Sequence, residues 1–202
     1  MRVGLLGGSF DPVHRGHVEA ARAALAGLGL DRVLFVPTAR PPHKPERRFA
    51  PALRRYAMVE IAILDEPRLE VSTAELDESR PAYTIDTLAR LRSERPGDEL
   101  VLLVGADWLA AFDSWRSWRE LLASTELGVV PRRGAEWSAV EPRLAPSLRQ
   151  AIAAARIGWV RDFEHPASAS EIRRRMAAEE PLPEGWLDPR VLGFIEKYSL
   201  YR

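Results

Sequence analysis

The segment VGLLGGSFDPVHRGHVEAARAALAGLG, residues 3–29, decides the predicted fold. It begins with a short apolar run, turns through adjacent glycines, and continues with apolar residues at helical spacing up to Gly29, the expected C-terminal cap. A strand, a tight turn and a helix in this order form the first half of a βαβ unit. The segment therefore predicts an α/β protein built on a parallel sheet.

The rest of the chain repeats the alternation of short apolar, β-branched runs with helical patterns. Strands are predicted at 2–7, 32–37, 69–72, 99–105, 126–131 and 157–160. After a first helix that starts near Gly16, helices are predicted at 51–64, 84–94, 117–124, 145–156, 168–179 and 189–198, with loops at 37–50, 131–142 and 181–189. This order predicts a Rossmann-like, doubly wound, mostly parallel sheet with helices on both faces. We expect a single domain over 1–202, of which about 165–202 is a small helical C-terminal extension.

Composition excludes several classes of function. The chain has 202 residues, 29 basic and 29 acidic, so its zero net charge argues against a nucleic-acid partner. It contains no cysteine, which excludes disulfides, thiolate metal sites and cysteine nucleophiles. No apolar run approaches the roughly 18 residues of a membrane span, and the N-terminus reaches glycine too early for a signal peptide. We expect a cytoplasmic protein with no membrane partner; a homo-oligomer remains open.

The first loop, GGSFDPVHRGH at 7–17, combines glycines with two histidines at the start of a helix. Gly7 and Gly8 allow the backbone to approach a ligand closely, and the helix N-terminus at His17 favours a phosphate. Neither the dinucleotide-binding nor the Walker pattern of glycines is present. Two alternatives remain open: an ordinary polar turn, and a metal site formed by Asp11, His14, His17 and His43.

This loop resembles the [T/H]-x-G-H signature of nucleotidylyltransferases, in the form typical of bacterial nicotinate-mononucleotide adenylyltransferases. Further segments resemble that family in the same order along the chain. They are VPTARPPHKP (36–45), PAYTIDTL (81–88), GADWLAAFDSW (105–115), PRRG (131–134), ASASEIR (167–173) and VLGFIEKYSLY (191–201). Each motif alone is weak, but their common order along nearly the whole chain is specific.

The resemblance implies transfer of the adenylyl group of ATP to nicotinate mononucleotide, giving deamido-NAD and pyrophosphate. The implied catalytic residues are His14, His17, Lys44 and Arg173. The implied ATP-binding residues are Gly7, Gly8, Ser9, Phe10, His14, His17, Gly105, Asp107, Ser168, Ser170, Ile172 and Arg173. The implied residues for nicotinate mononucleotide are Lys44, Tyr83, Thr84, Trp115 and Arg132. Mg²⁺ is expected to arrive with ATP, with no dedicated protein site.

The chemistry of these residue types fits the implied roles. The Trp115 indole offers a stacking surface to a pyridine ring, and Trp118 is expected in the core. Asp107 follows a strand, where a carboxylate can accept hydrogen bonds from ribose hydroxyls. Thr84 begins a helix, and the backbone N–H groups at its N-terminus can favour a ligand with a carboxylate over one with a carboxamide. Ser168 or Ser170 can cap the helix that carries the second phosphate motif.

Three residues depart from the family pattern. Arg116 stands where tyrosine is usual, Arg133 replaces a proline, and Ala169 replaces a serine. These departures keep open a nucleotide sensor without turnover. The nearest alternative is the same transfer to nicotinamide mononucleotide or phosphopantetheine. RNA binding is disfavoured, because the chain has no basic surplus.

Overall fold

A single parallel sheet organises the computed structural model, which describes residues 1–42, 48–131, 137–161 and 163–202. In this part of the chain the strands are β1 (Arg2–Gly8), β2 (Arg32–Pro37), β3 (Leu69–Val71), β4 (Glu99–Gly105), β5 (Glu126–Val130) and β6 (Ile157–Trp159). Their order across the sheet is β3-β2-β1-β4-β5-β6, and every neighbouring pair is parallel. The Rossmann-like sheet predicted from the sequence is confirmed.

The central strand β1 lies where the order of the strands reverses. Leu5 is in register with Leu34 of β2 on one side and with Leu102 of β4 on the other. Connections from the neighbouring strands leave in opposite directions at this point, which opens a crevice at the carboxyl ends of β1 and β4. The crevice is the expected position of a ligand.

Helices cover both faces of the sheet. They are α1 (Arg15–Gly27), α2 (Ala52–Ala62), α3 (Thr84–Glu94), α4 (Ala106–Leu109), α5 (Trp118–Ser124), α6 (Trp137–Val140), α7 (Pro146–Ala154), α8 (Ala169–Ala177) and α9 (Pro189–Lys197). Successive strand residues point to opposite faces, so Leu102 packs with α3, α5 and α7, whereas Leu103 packs with α1, α2 and α9. Both faces are apolar because both are covered. No helix in the described ranges is both long and apolar enough to cross a membrane.

Two short segments differ from the sequence prediction. The expected loop over 131–142 is wrong at its end, where α6 and a 3₁₀ turn at Glu141–Arg143 occur. Helix α4 and a 3₁₀ turn at Phe112–Ser114 were not predicted. Each element is about one turn long, too short to show helical periodicity, and buried side chains such as Leu109 hold these turns against the core.

The ends of the predicted elements shift by one or two residues. The first helix ends at Gly27 with Leu28 as its cap, so the prediction of Gly29 as the cap is off by one position. Gly29 follows with φ of 60°, a backbone conformation that glycine adopts without strain. The C-terminal part contains α8 and α9, in agreement with the predicted helical character of this region.

Helix α9 has a charged cap that makes its stability depend on pH. The Asp188 carboxylate accepts a hydrogen bond from the Arg190 amide at 2.8 Å. The hydrogen bond from the Arg190 guanidinium is the main cause that holds the pKa of the carboxyl below its usual 3.8. The bond from the amide contributes less to the lower pKa, and partial burial opposes the shift. The stabilisation is therefore present above pH 3.8 and is lost as the pH falls through the lower pKa of the folded protein.

Replacing Asp188 with alanine is expected to lower the free energy of unfolding by about 1 kcal/mol near neutral pH. Urea denaturation should show that the difference in the free energy of unfolding between wild type and variant becomes smaller as the pH falls below 3.8. Asp188→Asn is the matched control, because it keeps a cap acceptor without the charge. An equal difference between Asp188→Ala and wild type at all pH values would contradict the assigned role of the carboxylate.

Candidate active site

The crevice at the switch point is a cleft of about 460 Å³. Its walls come from the segments that follow β1, β2, β4 and β5, together with the first turns of α3 and α8. A volume of this size lies in the range of small-ligand sites. The lining from the start of α1 and from α8 includes His14, His17 and Arg173 and is called the histidine end. The lining from the start of α3 and the segment after α4 includes Tyr83 and Trp115 and is called the aromatic end.

The two histidines of the first loop form a stacked pair at the start of α1. His14 is the N-cap residue, and its imidazole ring lies 3.7 Å from that of His17 between ring centroids. The His14 backbone N–H donates to Nδ1 of His17 at 3.2 Å. A neutral imidazole that accepts at Nδ1 carries its hydrogen on Nε2. His17 is thereby oriented as a hydrogen-bond donor in the first turn of a helix, where an anion is favoured.

Asp11 connects the first loop to two distant parts of the chain by hydrogen bonds. Its carboxylate is almost fully buried and accepts hydrogen bonds from the Ala50 amide at 3.1 Å and the Tyr201 hydroxyl at 2.8 Å. Burial, and then the nearby Asp11 charge, raises the pKa of the Tyr201 phenol, so the hydroxyl stays a donor. Tyr201 therefore supports the loop that carries the two histidines.

Arg173 of α8 contacts the same loop at Asp11. Its guanidinium donates to the main-chain oxygen of Asp11 and lies 3.9 Å from the Asp11 carboxylate. Ser168 occupies the N-cap position of α8, but its hydroxyl is 2.8 Å from that of Ser170 and makes no side-chain cap bond. The predicted serine at the helix start is confirmed in position, and its hydroxyl lines the cleft instead of capping the helix.

Gly105 and Asp107 lie where β4 leaves the sheet, beside the first loop. A Cβ atom at Gly105 would come within 2.5 Å of Oδ1 of Asp107, so a larger residue would displace this carboxylate. The absence of a side chain at Gly105 leaves room for the Asp107 carboxylate beside the end of the strand. Both residues line the cleft, as expected for a group that contacts a ribose.

The other end of the cleft is aromatic. Tyr83 is the N-cap residue of α3, which begins at Thr84 as predicted. The Trp115 ring stacks on the buried Phe112 ring at 5.0 Å, with an angle of 29° between the planes, and still lines the cleft. Its neighbour Trp118 is buried in the core, as the sequence indicated. Trp115 is thus a rigid surface for a flat ring.

The structure brings together every described residue that the resemblance assigned to the site, with one exception. The Ile172 side chain is completely buried and does not line the cleft. Lys44 and Arg132 lie outside the described residues, as does His43 of the metal alternative. In the part of the chain that the structure describes, no three histidine, aspartate or glutamate side chains are grouped to hold a metal ion.

The sequence analysis missed a carboxylate that connects the two ends of the cleft. Glu75 lines the cleft and accepts hydrogen bonds from the hydroxyls of Thr38, at 2.5 Å, and Thr87, at 2.6 Å. Burial raises the pKa of Glu75, and the two hydroxyl donors oppose this shift. A search at the carboxyl end of β3 would have found it, because Glu75 follows that strand closely.

A second missed residue is Arg55, a buried arginine of α2. Its guanidinium donates to the main-chain oxygens of Ser9, Thr38, Ala39 and Ala50. These bonds tie the loop after β1 to the turn after β2. Its sequence context is an ordinary amphipathic helix, which contains no signal of this role.

Comparison with known proteins is consistent with this geometry. A family model described as cytidylyltransferase-like matches residues 5–175. A Chromobacterium violaceum protein described as "Probable nicotinate-nucleotide adenylyltransferase" is 41% identical over 211 residues, covering 100% of this chain and 99% of that protein. A Thermus thermophilus protein with the same description is 40% identical, with both chains covered completely. The chain belongs to the nicotinate-nucleotide adenylyltransferase family.

The fold of this family is also seen in solved structures. The Plasmodium falciparum nicotinic acid mononucleotide adenylyltransferase complexed with NaAD superimposes with a TM-score of 0.77 at 18% identity, covering 99% of this chain and 97% of that chain. The same protein complexed with APC gives a TM-score of 0.75. At this identity the likeness supports the fold, and the nicotinate-nucleotide adenylyltransferase assignment rests on the closer relatives.

Proposed function

We propose that this protein transfers the adenylyl group of ATP to nicotinate mononucleotide, forming deamido-NAD and pyrophosphate in NAD biosynthesis. The observation that carries the proposal is the cleft with a histidine end and an aromatic end. One end suits a triphosphate, and the other suits a flat pyridine ring. Full-length relatives described as nicotinate-nucleotide adenylyltransferases support the same assignment.

The reaction needs no nucleophilic side chain. An oxygen of the mononucleotide phosphate attacks the α-phosphorus of ATP in line, the bond to the bridging oxygen breaks, and pyrophosphate leaves. Catalysis of such a transfer is mostly positioning and stabilisation of charge. Nε2–H of His17 donates to an α-phosphate oxygen, while His14 and Arg173 hold neighbouring phosphate oxygens. Lys44 and Arg132 complete the proposed set from the sequence resemblance.

We also propose that Mg²⁺ enters with ATP. Mg²⁺ prefers oxygen ligands and retains several waters, so the phosphates can supply its main contacts. No step is assigned to a protein-bound ion, because the described residues show no group of three side chains suited to one. The proposed small-molecule partners are ATP and nicotinate mononucleotide. Cytoplasmic location stays a prediction of the sequence, which leaves the oligomeric state open.

The test is release of pyrophosphate from ATP with each of three acceptors: nicotinate mononucleotide, nicotinamide mononucleotide and phosphopantetheine. We expect the highest kcat/KM with nicotinate mononucleotide. A preference for another acceptor would change the proposed substrate but keep the reaction. Tight ATP binding without pyrophosphate release for any acceptor would instead indicate a nucleotide sensor.

Removing the aromatic surface at Trp115 should weaken binding of the acceptor alone. Trp115→Ala is expected to raise KM for nicotinate mononucleotide about tenfold, because stacking on an aromatic ring is worth about 1–3 kcal/mol per base. KM for ATP should change little, since the histidine end is intact. Trp115→Phe is the matched control and should retain most of the affinity. An unchanged acceptor KM in Trp115→Ala would show that the ring does not stack there.

A further inference from the structure

Arg116 extends the aromatic end of the cleft with a positive charge. Its guanidinium carbon lies 4.7 Å from the centroid of the Tyr83 ring, and both residues line the cleft together with Trp115. This is the position at which the chain departs from the family pattern by having arginine instead of tyrosine. The guanidinium therefore lies over the Tyr83 ring, in the same cleft as the Trp115 ring on which the acceptor is proposed to stack.

The Arg116 charge is only weakly engaged within the protein. Its nearest carboxylate, that of Asp86, is 3.7 Å away, and both side chains are more than half exposed, at 58% and 65%. An ion pair this open to water contributes little to stability. An anionic ligand in the cleft can therefore take the guanidinium from Asp86 at small cost.

The two pyridine mononucleotides differ at one ring substituent. Nicotinate carries a carboxylate, whereas nicotinamide carries a neutral carboxamide. A guanidinium forms charge-assisted hydrogen bonds with a carboxylate that a carboxamide oxygen does not match. A cation in the cleft thus favours the acid. The carboxylates of Asp86, which pairs with Arg116, and of Glu75, which lines the cleft, act in the opposite direction.

We propose that the Arg116 side chain is a specificity-determining residue that selects an acceptor with a carboxylate on its pyridine ring over the corresponding carboxamide. The inference rests on the proposed adenylyl transfer and deepens it. The Tyr83 ring holds the guanidinium by a cation–π contact, and the adjacent Trp115 holds the ring of the acceptor. In this chain a side-chain charge thus contributes to the preference for the carboxylate over the carboxamide.

The test compares kcat/KM for nicotinate and nicotinamide mononucleotides in wild type and in Arg116→Leu. The ratio of acid to amide efficiency should fall about tenfold, the size expected for one lost charge-assisted hydrogen bond. The fall should come from a higher KM for nicotinate mononucleotide, with KM for ATP unchanged. Arg116→Lys should retain part of the preference, because it keeps the charge without the planar group.

The matched control is Arg119→Leu. Arg119 is also an exposed arginine on an aromatic ring, at 4.2 Å from the centroid of Trp118, but it does not line the cleft. Its variant should keep the wild-type ratio. An unchanged ratio in a folded Arg116→Leu enzyme, or an equal loss for both acceptors, would overturn the inference. Failure of wild type to use either acceptor would overturn the proposed function instead.

Discussion

Replacing His17 with alanine should lower kcat by about a hundredfold or more, the typical cost of removing one donor that stabilises charge in the transition state. The His14 amide donates to Nδ1 of His17, so a neutral His17 ring carries its hydrogen on Nε2, and this ring contacts both the His14 and Phe10 rings. This donor is thus preorganised before ATP binds, and an alanine leaves the developing phosphate charge with one partner fewer.

The decisive measurement is kcat at saturating ATP and nicotinate mononucleotide, together with circular dichroism to check the fold. Arg22→Ala is the control on the same helix, since Arg22 is exposed and pairs with Glu19 and Glu66 outside the cleft. Its kcat should equal that of wild type. A folded His17→Ala enzyme with wild-type kcat would remove His17 from the proposed mechanism.

The sheet and the loop after β1 could be predicted from the sequence because their signals are local. Apolar runs set the strands. Gly7 and Gly8, predicted to form the turn, are instead the last two residues of β1, and the turn follows them. The parallel arrangement then brings the ends of neighbouring strands to one edge. The assignment of Arg173 to the same site as His17 comes instead from the order of motifs shared with the family, because the Arg173 segment alone indicates only a charged surface helix.

The hydrogen bonds of the supporting residues could not be predicted, because their partners are distant in sequence and include main-chain atoms, small hydroxyls and a carboxylate. Arg55 reads as one arginine among many, yet it binds carbonyl groups of two loops. Tyr201 lies next to the C-terminus, yet its hydroxyl bonds to Asp11. Glu75 could have been found by its position just after β3, but its hydrogen bonds with Thr38 and Thr87 depend on the fold. Such contacts depend on tertiary packing, which no local pattern records.

Arg173→Ala should lower kcat/KM for ATP by about 10²–10³-fold, because a guanidinium on the triphosphate supplies charge-assisted hydrogen bonds that strengthen as pyrophosphate leaves. The side chain is already held by the main-chain oxygen of Asp11, so little ordering is needed when ATP binds. Arg173→Lys should recover only part of the loss, since an ammonium lacks the planar fork.

The adjacent Arg174 gives a matched control for this variant, because it lies on the same helix but pairs with Glu171 and Glu180 at the surface. Arg174→Ala removes the same charge from the protein one position away and should leave kcat/KM for ATP unchanged. Equal losses in the two variants would mean that net charge, and not contact with the phosphates, sets the effect. A large loss confined to Arg173→Ala, with unchanged KM for nicotinate mononucleotide, is the result expected if α8 holds the leaving pyrophosphate while the aromatic end of the cleft binds the acceptor independently.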